Sequence, residues 1–218
     1  EVADHAMALL LALTRNLNKI LKYGPYIKFH RRPIELKNKK ILIVGYGGIG
    51  RCIAERAFGF GMKISVLDDH YTPISHTIEN FYLKDQYQKA LRDKDIVVYS
   101  VPLKKETMNM YNSKTAKYFK KGAILINICR GGVVCEKTLY KNLKNNYLYG
   151  AGVDVIGKTD KLSKNSKFLK LKNFIFTPHI AGISDNLKFR NYKLINDNLS
   201  NYSKNRKLIN IVRKNDLK

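Results

Sequence analysis

A short apolar run, Ile41-Leu42-Ile43-Val44, ends abruptly in Gly45-Tyr46-Gly47-Gly48-Ile49-Gly50, and a helix-forming stretch over residues 49–60 follows. No other stretch constrains the fold as strongly. A short continuous apolar run bounded by glycines reads as a strand buried on both faces. A G-x-G-x-x-G pattern between such a strand and a helix is a phosphate-binding turn. Gly45 allows the tight bend, Gly47 lets a pyrophosphate approach the backbone, and Gly50 lets helix and strand pack closely. Gly48 and Ile49 open the helix, whose free N–H groups and positive dipole end attract phosphate. Asp68 ends the next apolar run, 68 − 50 = 18 residues beyond the last glycine. A carboxylate there accepts hydrogen bonds from an adenosine ribose diol and repels a 2′-phosphate, so NAD is expected over NADP.

The alternation continues along the chain. Residues 63–67, 96–101, 123–128, 150–155 and 173–177 read as strands, and 83–92, 113–119, 136–145 and 184–202 as helices. Strands alternating with helices imply a parallel sheet covered on both faces through right-handed crossovers. The expected fold is α/β, a three-layer Rossmann-type doubly wound sheet. Residues 2–17 are strong helix formers whose apolar positions nearly encircle the helix, so it must be buried on several sides, in this chain or in a partner. Gly24, Pro25 and Pro33 make residues 23–35 an irregular arm, and the Lys/Ser/Asn-rich stretch 157–172 reads as a mobile loop.

Charge adds little to this picture. The 218 residues carry 41 Lys+Arg against 17 Asp+Glu, a net +24, but 31 of the basic residues are Lys and only 10 are Arg. The lysines are scattered, with no block of five or six like charges and no arginine stripe. Asn, Ile and Tyr are abundant too, the slant that AT-rich coding produces. The charge is therefore read as background, and no nucleic-acid partner is expected, although the field would draw in small anions. No run of about 18 apolar residues occurs, so no membrane span is expected. Cys52, Cys129 and Cys135 form an odd set without paired metal-ligand spacing. A disulfide framework and a metal site are not expected, and a reducing, cytoplasmic compartment is. The chain opens on Glu1 without a signal peptide pattern, which suggests a missing upstream segment.

Five stretches carry a family likeness: Val2-Ala3-Asp4-His5 with Leu13-Thr14-Arg15-Asn16; the glycine turn through Asp68; Val101-Pro102-Leu103 with Thr107; Asn127-Ile128-Cys129-Arg130-Gly131-Gly132-Val133-Val134; and Gly152-Val153-Asp154-Val155 followed by Thr177-Pro178-His179-Ile180-Ala181-Gly182. In this order and spacing the chain resembles the D-isomer-specific 2-hydroxyacid dehydrogenase family. The resemblance implies an NAD-dependent oxidoreductase acting on a small 2-hydroxy or 2-keto acid, present here as its cofactor-binding part. It implies three regions: a hinge helix and dimerisation arm over 1–36, an NAD-binding Rossmann domain over 37–182, and a C-terminal helix and tail over 183–218 returning toward a substrate domain. A homodimer through the cofactor domain is expected. Gly48 and Ile49 would meet the pyrophosphate, and Val101, Pro102 and Thr107 the adenosine side. Cys129, Arg130 and Asp154 would surround the nicotinamide, and His179 and Gly182 would also touch the cofactor. Arg130 would hold the substrate carboxylate, since guanidinium pairs with planar carboxylates. His179 would be the acid/base, since its ordinary pKa lies near working pH. Cys129 is read as a packing residue, and His5, His30, His70 and His76 as having no catalytic role.

One position departs from the family pattern. The usual glutamate five residues after the strand aspartate is Thr159, with Asp160 one residue later. Asp160 can partner His179 only if the loop shifts. The alternative reading is therefore a non-catalytic NAD(H)-sensing module, as in related transcriptional corepressors. A hydrolase using tightly held NAD lacks its own motif here.

Overall fold

The chain builds seven strands, the central ones from short apolar runs of β-branched residues: β1 (Lys40–Val44), β2 (Lys63–Asp68), β3 (Ile78–Leu83), β4 (Ile96–Tyr99), β5 (Ile124–Asn127), β6 (Gly150–Val153) and β7 (Phe174–Phe176). In the computed structural model, which describes residues 1–28, 32–72, 74–157 and 159–211, they form one sheet in the order β3-β2-β1-β4-β5-β6-β7. Every pairing is parallel. The helices are α1 (Val2–Thr14), α2 (Leu17–Tyr23), α3 (Gly48–Gly59), α4 (Tyr87–Leu91), α5 (Glu136–Lys144) and α6 (Leu187–Ser203).

Alternate side chains feed two cores. Ile41 and Ile43 of β1 join Ile96, Val98, Ile124 and Ile126 under α1 and α3. Leu42 and Val44 join Val97, Tyr99, Leu125 and Leu139 on the other face. This period-two split, with both faces buried, explains why the central strands read as unbroken apolar runs. The doubly wound expectation holds.

Five local expectations change. β3 was not expected, because its burial does not alternate and most of its residues are exposed or half-buried, as befits an edge strand. The helix expected over 83–92 is a 3-10 turn, Lys84–Gln86, followed by the short α4. The helix expected over 113–119 is only a 3-10 turn, Ala116–Tyr118. The opening helix breaks at Asn16, whose φ of 58° turns the chain between α1 and α2. The stretch expected as a mobile loop is anchored, outside undescribed Lys158, by Phe168. That ring is 1% exposed and packs 4.8 Å from the Phe174 ring centroid.

The apolar α1 finds its burial inside its own chain, against α3, β5 and β6. Glycine makes the approach possible: a Cβ on Gly150 would lie 2.9 Å from Leu13 Cδ2, and one on Gly152 2.9 Å from Leu9 Cβ. α1 belongs to the compact unit Val2–Ala181; a second unit begins at Gly182 and includes Glu1. In that second unit Glu1 pairs with Arg190 at 2.8 Å, and the Asn198 amide brackets Ile209. His30 and the tail from Val212 lie outside the described residues. Among the described residues no helix is long and apolar enough to cross a membrane.

Candidate active site

β1 and β4 are neighbours from which the chain departs in opposite directions, and their C-terminal ends open a crevice where such sheets bind ligands. The glycine turn fills the β1 side. Gly45 has a φ of +97°, and a Cβ on it would lie 2.7 Å from the Ser100 carbonyl. A Cβ on Gly50 would collide with the Gly45 carbonyl. Gly47 and Gly48 instead face open space, with nothing within 4 Å of a built Cβ. Gly45 and Gly50 thus close the turn, and Gly47 and Gly48 leave a cradle.

A cavity of about 520 Å³ continues from the turn, lined by Gly45, Gly47, Asp68, Val101, Pro102 and Thr107 among others. Asp68 Oδ2 accepts from Tyr46 N at 2.6 Å and Oδ1 from Asp69 N at 2.7 Å. These bonds fix the carboxylate at the cavity wall. Thr107 Oγ1 donates to the Pro102 carbonyl at 2.6 Å and accepts from Lys104 N at 2.7 Å, so it builds the loop that forms the far wall. Ile49 is partly exposed on the first turn of α3.

The reactive end is assembled from the loops after β5, β6 and β7. Asn127, fully buried, donates from Nδ2 to the Arg130 carbonyl at 3.0 Å, while its Oδ1 accepts from Cys129 Sγ at 3.1 Å. Burial pushes the Cys129 thiol up to about 11, so it is held neutral and acts as packing. Arg130 is exposed, with Nη1 donating to the Cys129 carbonyl at 2.7 Å. A Cβ on Gly131 would collide with the 156–157 backbone, so the turn after Arg130 lies flat on that segment. Gly131 N donates to Asp160 Oδ1 at 2.7 Å.

Asp154 is fully buried. Its Oδ1 accepts from Thr177 Oγ1 at 2.6 Å and Ile180 N at 3.0 Å, and its Oδ2 from Ala181 N at 2.9 Å. Its carbonyl accepts from His179 N at 2.9 Å. His179 itself has a φ of +57°, an uncommon conformation for a residue with a Cβ, which these bonds hold in place. The ring is half-exposed, with Nδ1 3.9 Å from Asp160 Oδ2. Thr159 is exposed. Gly182 falls in the second unit.

Three contributors were not singled out from sequence as parts of the site. Ser100 donates from Oγ to the carbonyls of Val44 and Gly45, tying β4 to the glycine turn. Tyr87, on the cavity wall, shares a 2.5 Å hydrogen bond with buried Tyr99, and burial raises the pKa of both. His5 Nε2 lies 2.7 Å from Thr177 Oγ1. Such pairings leave no local signature; the last spans 172 residues. Among the described residues, no three His, Cys, Asp or Glu side chains cluster as a metal site.

A doubly wound parallel sheet carrying an open glycine cradle at its switch point defines a nucleotide-binding α/β protein. The chain belongs to the D-isomer specific 2-hydroxyacid dehydrogenase family, whose NAD binding domain it matches over residues 7–181. It is similar to the glyoxylate reductase of Pyrococcus furiosus, 39% identical over 192 residues covering 82% of this chain and 55% of that protein. The hydroxypyruvate reductase of Thermotoga maritima is 33% identical over 187 residues, covering 83% of this chain and 59% of that protein. A solved acyclic imino acid reductase (Bsp5), in complex with NADPH and D-Arg, matches with a TM-score of 0.82 at 27% identity, covering 97% of this chain and 67% of that one. The chain therefore spans little more than half the length of these two curated relatives.

Proposed function

We propose that this chain is the cofactor-binding part of an NAD-dependent oxidoreductase that moves a hydride between NAD(H) and a D-2-hydroxy acid or its 2-keto partner. The observation that carries the reading is the Asp160 carboxylate, which contacts the turn following Arg130 through one oxygen and faces His179 with the other. A guanidinium for the substrate carboxylate and an imidazole for the hydroxyl proton thus stand on loops joined by one acid. The relatives' names, glyoxylate and hydroxypyruvate reductase, point to the same substrate class.

The cradle at Gly47 and Gly48 and the cavity beside Asp68 fit the pyrophosphate and adenosine of a dinucleotide. When bound, the nicotinamide supplies or accepts the hydride. The chain's own residues do the rest. Arg130 orients the planar carboxylate, and His179 holds or releases the proton at the substrate oxygen. Asp160 takes the place of the glutamate absent at Thr159 and orients the ring. Asp154 holds the backbone of the His179 loop, and Cys129 packs beneath Arg130.

Asp68 supports NAD over NADP, because a fixed carboxylate at this cavity wall would accept from a ribose diol and repel a 2′-phosphate. We also read residues 1–36 as a hinge helix and dimerisation arm and 37–182 as the NAD-binding domain. Residues 183–218 are read as a helix and tail that return toward a substrate domain. The exposed stripe Phe189, Tyr192, Ile195, Leu199 and Tyr202 on α6 supports the last assignment. A homodimer in the cytoplasm is the expected state. Burial of α1 within the chain removes one argument for the dimer and leaves the exposed Leu21, Tyr23 and Tyr26 in the arm as its support.

The test is titration of the chain with NADH and NADPH, followed by NADH oxidation with glyoxylate, hydroxypyruvate and pyruvate. Saturable NADH binding and slow oxidation abolished by Arg130→Ala and His179→Ala are expected. NADH binding without any Arg130-dependent oxidation would assign the chain to the NAD(H)-sensing class instead, for which the loss at Thr159 is the supporting feature.

A further inference from the structure

α1 runs along β6 in matched steps. Leu13 sits over Gly150 and Leu9 over Gly152; one helical step earlier, His5 meets Asp154 just past the strand, with Nε2 3.5 Å from Oδ1. Four helical residues rise about 6 Å and two strand residues about 6.6 Å, so a helix running against the strand keeps this register over three steps. The two glycines that let α1 approach also deliver an imidazole to the carboxylate that anchors the His179 loop.

The hydrogen bonds fix who donates. Thr177 has one hydroxyl proton, and it goes to Asp154 Oδ1 at 2.6 Å. The 2.7 Å contact between Thr177 Oγ1 and His5 Nε2 therefore has the ring nitrogen as donor. His5 occupies the acceptor side of the hydroxyl, which leaves the hydroxyl proton for Asp154. Asp154 in turn takes the amides of Ile180 and Ala181, the two residues that follow His179 with its φ of +57°. An unfavoured backbone conformation persists only where its surroundings over-determine it.

We propose that His5 is a positioning residue for the candidate acid/base. Through Thr177 and Asp154 it holds the 177–181 loop in the conformation that presents His179. This deepens the functional reading above, on which the catalytic part of the proposal rests; the structural part stands on the relay alone.

The experiment measures amide hydrogen exchange at Ile180 and Ala181 in His5→Leu, His5→Gln, Thr177→Val and the His5→Leu/Thr177→Val double variant of the full chain. The Thr177 amide, bonded to the Val153 carbonyl, reports wider opening. His5→Leu is expected to speed exchange at the two loop amides about fivefold, the scale of one lost hydrogen bond in a network. Exchange at Thr177 should be unchanged. His5→Gln, which keeps a donor, should restore the slow rate. Thr177→Val should match His5→Leu, and the double variant should add nothing to Thr177→Val, because both cut one relay. Additive effects, or loop amides within twofold of the unmodified chain in His5→Leu, overturn the proposal. Equal acceleration at Thr177 and the loop amides also overturns it, since that marks a general packing role. Where turnover is measurable, kcat should fall with the loop's protection and the NADH KM stay constant. Loop loosening without any turnover in the unmodified chain would sink the enzymatic reading while leaving the relay intact.

Discussion

Asp160 Oδ2 lies 3.9 Å from His179 Nδ1, although Asp160 is one residue beyond the position where the family carries its glutamate. The loop accommodates the offset by taking Asp160 to a φ of +56°, and Gly131 N pins Oδ1 at 2.7 Å. A shorter side chain one residue later thus reaches the same ring. Asp160→Asn keeps an acceptor for Gly131 and removes the charge facing the imidazole. Keto-acid reduction is expected to fall about tenfold with NADH binding unchanged, because the ring loses the acid that faces it. An unaltered rate would remove Asp160 from the mechanism.

The proposed preference for NAD rests on Asp68. Asp68→Ala should weaken NADH about tenfold and narrow the preference over NADPH, since the ribose diol loses its acceptor and the phosphate loses its repulsion. Paired fluorescence titrations with the two nucleotides measure the ratio; a ratio that does not move would assign selectivity elsewhere.

Cys129 makes stability depend on pH in a defined window. Its thiol is raised by burial from 9.0 to about 11. The unfolded chain ionises first, so the contribution is complete below the unfolded value and is lost as pH rises through the folded one. Between pH 7.5 and 10 the native chain should lose about 1 kcal/mol more than Cys129→Ala does, read from urea midpoints. Parallel losses in the two proteins would contradict this. Iodoacetamide at pH 8 should label exposed Cys52 well before Cys129.

Gly152 is a packing requirement rather than a strand preference. Gly152→Val places two methyl groups where Leu9 Cβ and Ile126 Cδ1 already sit. Thermal unfolding should show a loss of about 3 kcal/mol, the upper range for overpacked cores. A change within about 0.5 kcal/mol, the range of neutral surface substitutions, would mean that α1 is not seated on β6 as described.

The parts legible in the sequence are those whose cause is local. Ile41–Val44 is a strand because four adjacent apolar residues suit a strand buried on both faces. Gly45 and Gly50 are glycine because backbone comes within touching distance. Arg130 and His179 stand out because each sits in its own motif just past a strand. Other features needed the tertiary structure. β3 pairs with β2 at an edge, where no apolar alternation marks it. α1 reads as apolar on nearly every side, and only the glycine-lined surface of β6 decides that its own chain covers it. Asp160 and His179 are 19 residues apart, and their contact depends on a loop conformation that no spacing rule records. His5 is one of several histidines until the matched rises of α1 and β6 bring it to Thr177. Sequence alone determines the layers and the phosphate turn, because periodicity and glycine act over a few bonds. The pairing of distant polar groups is decided by the register of packed elements, which exists only once the chain has folded.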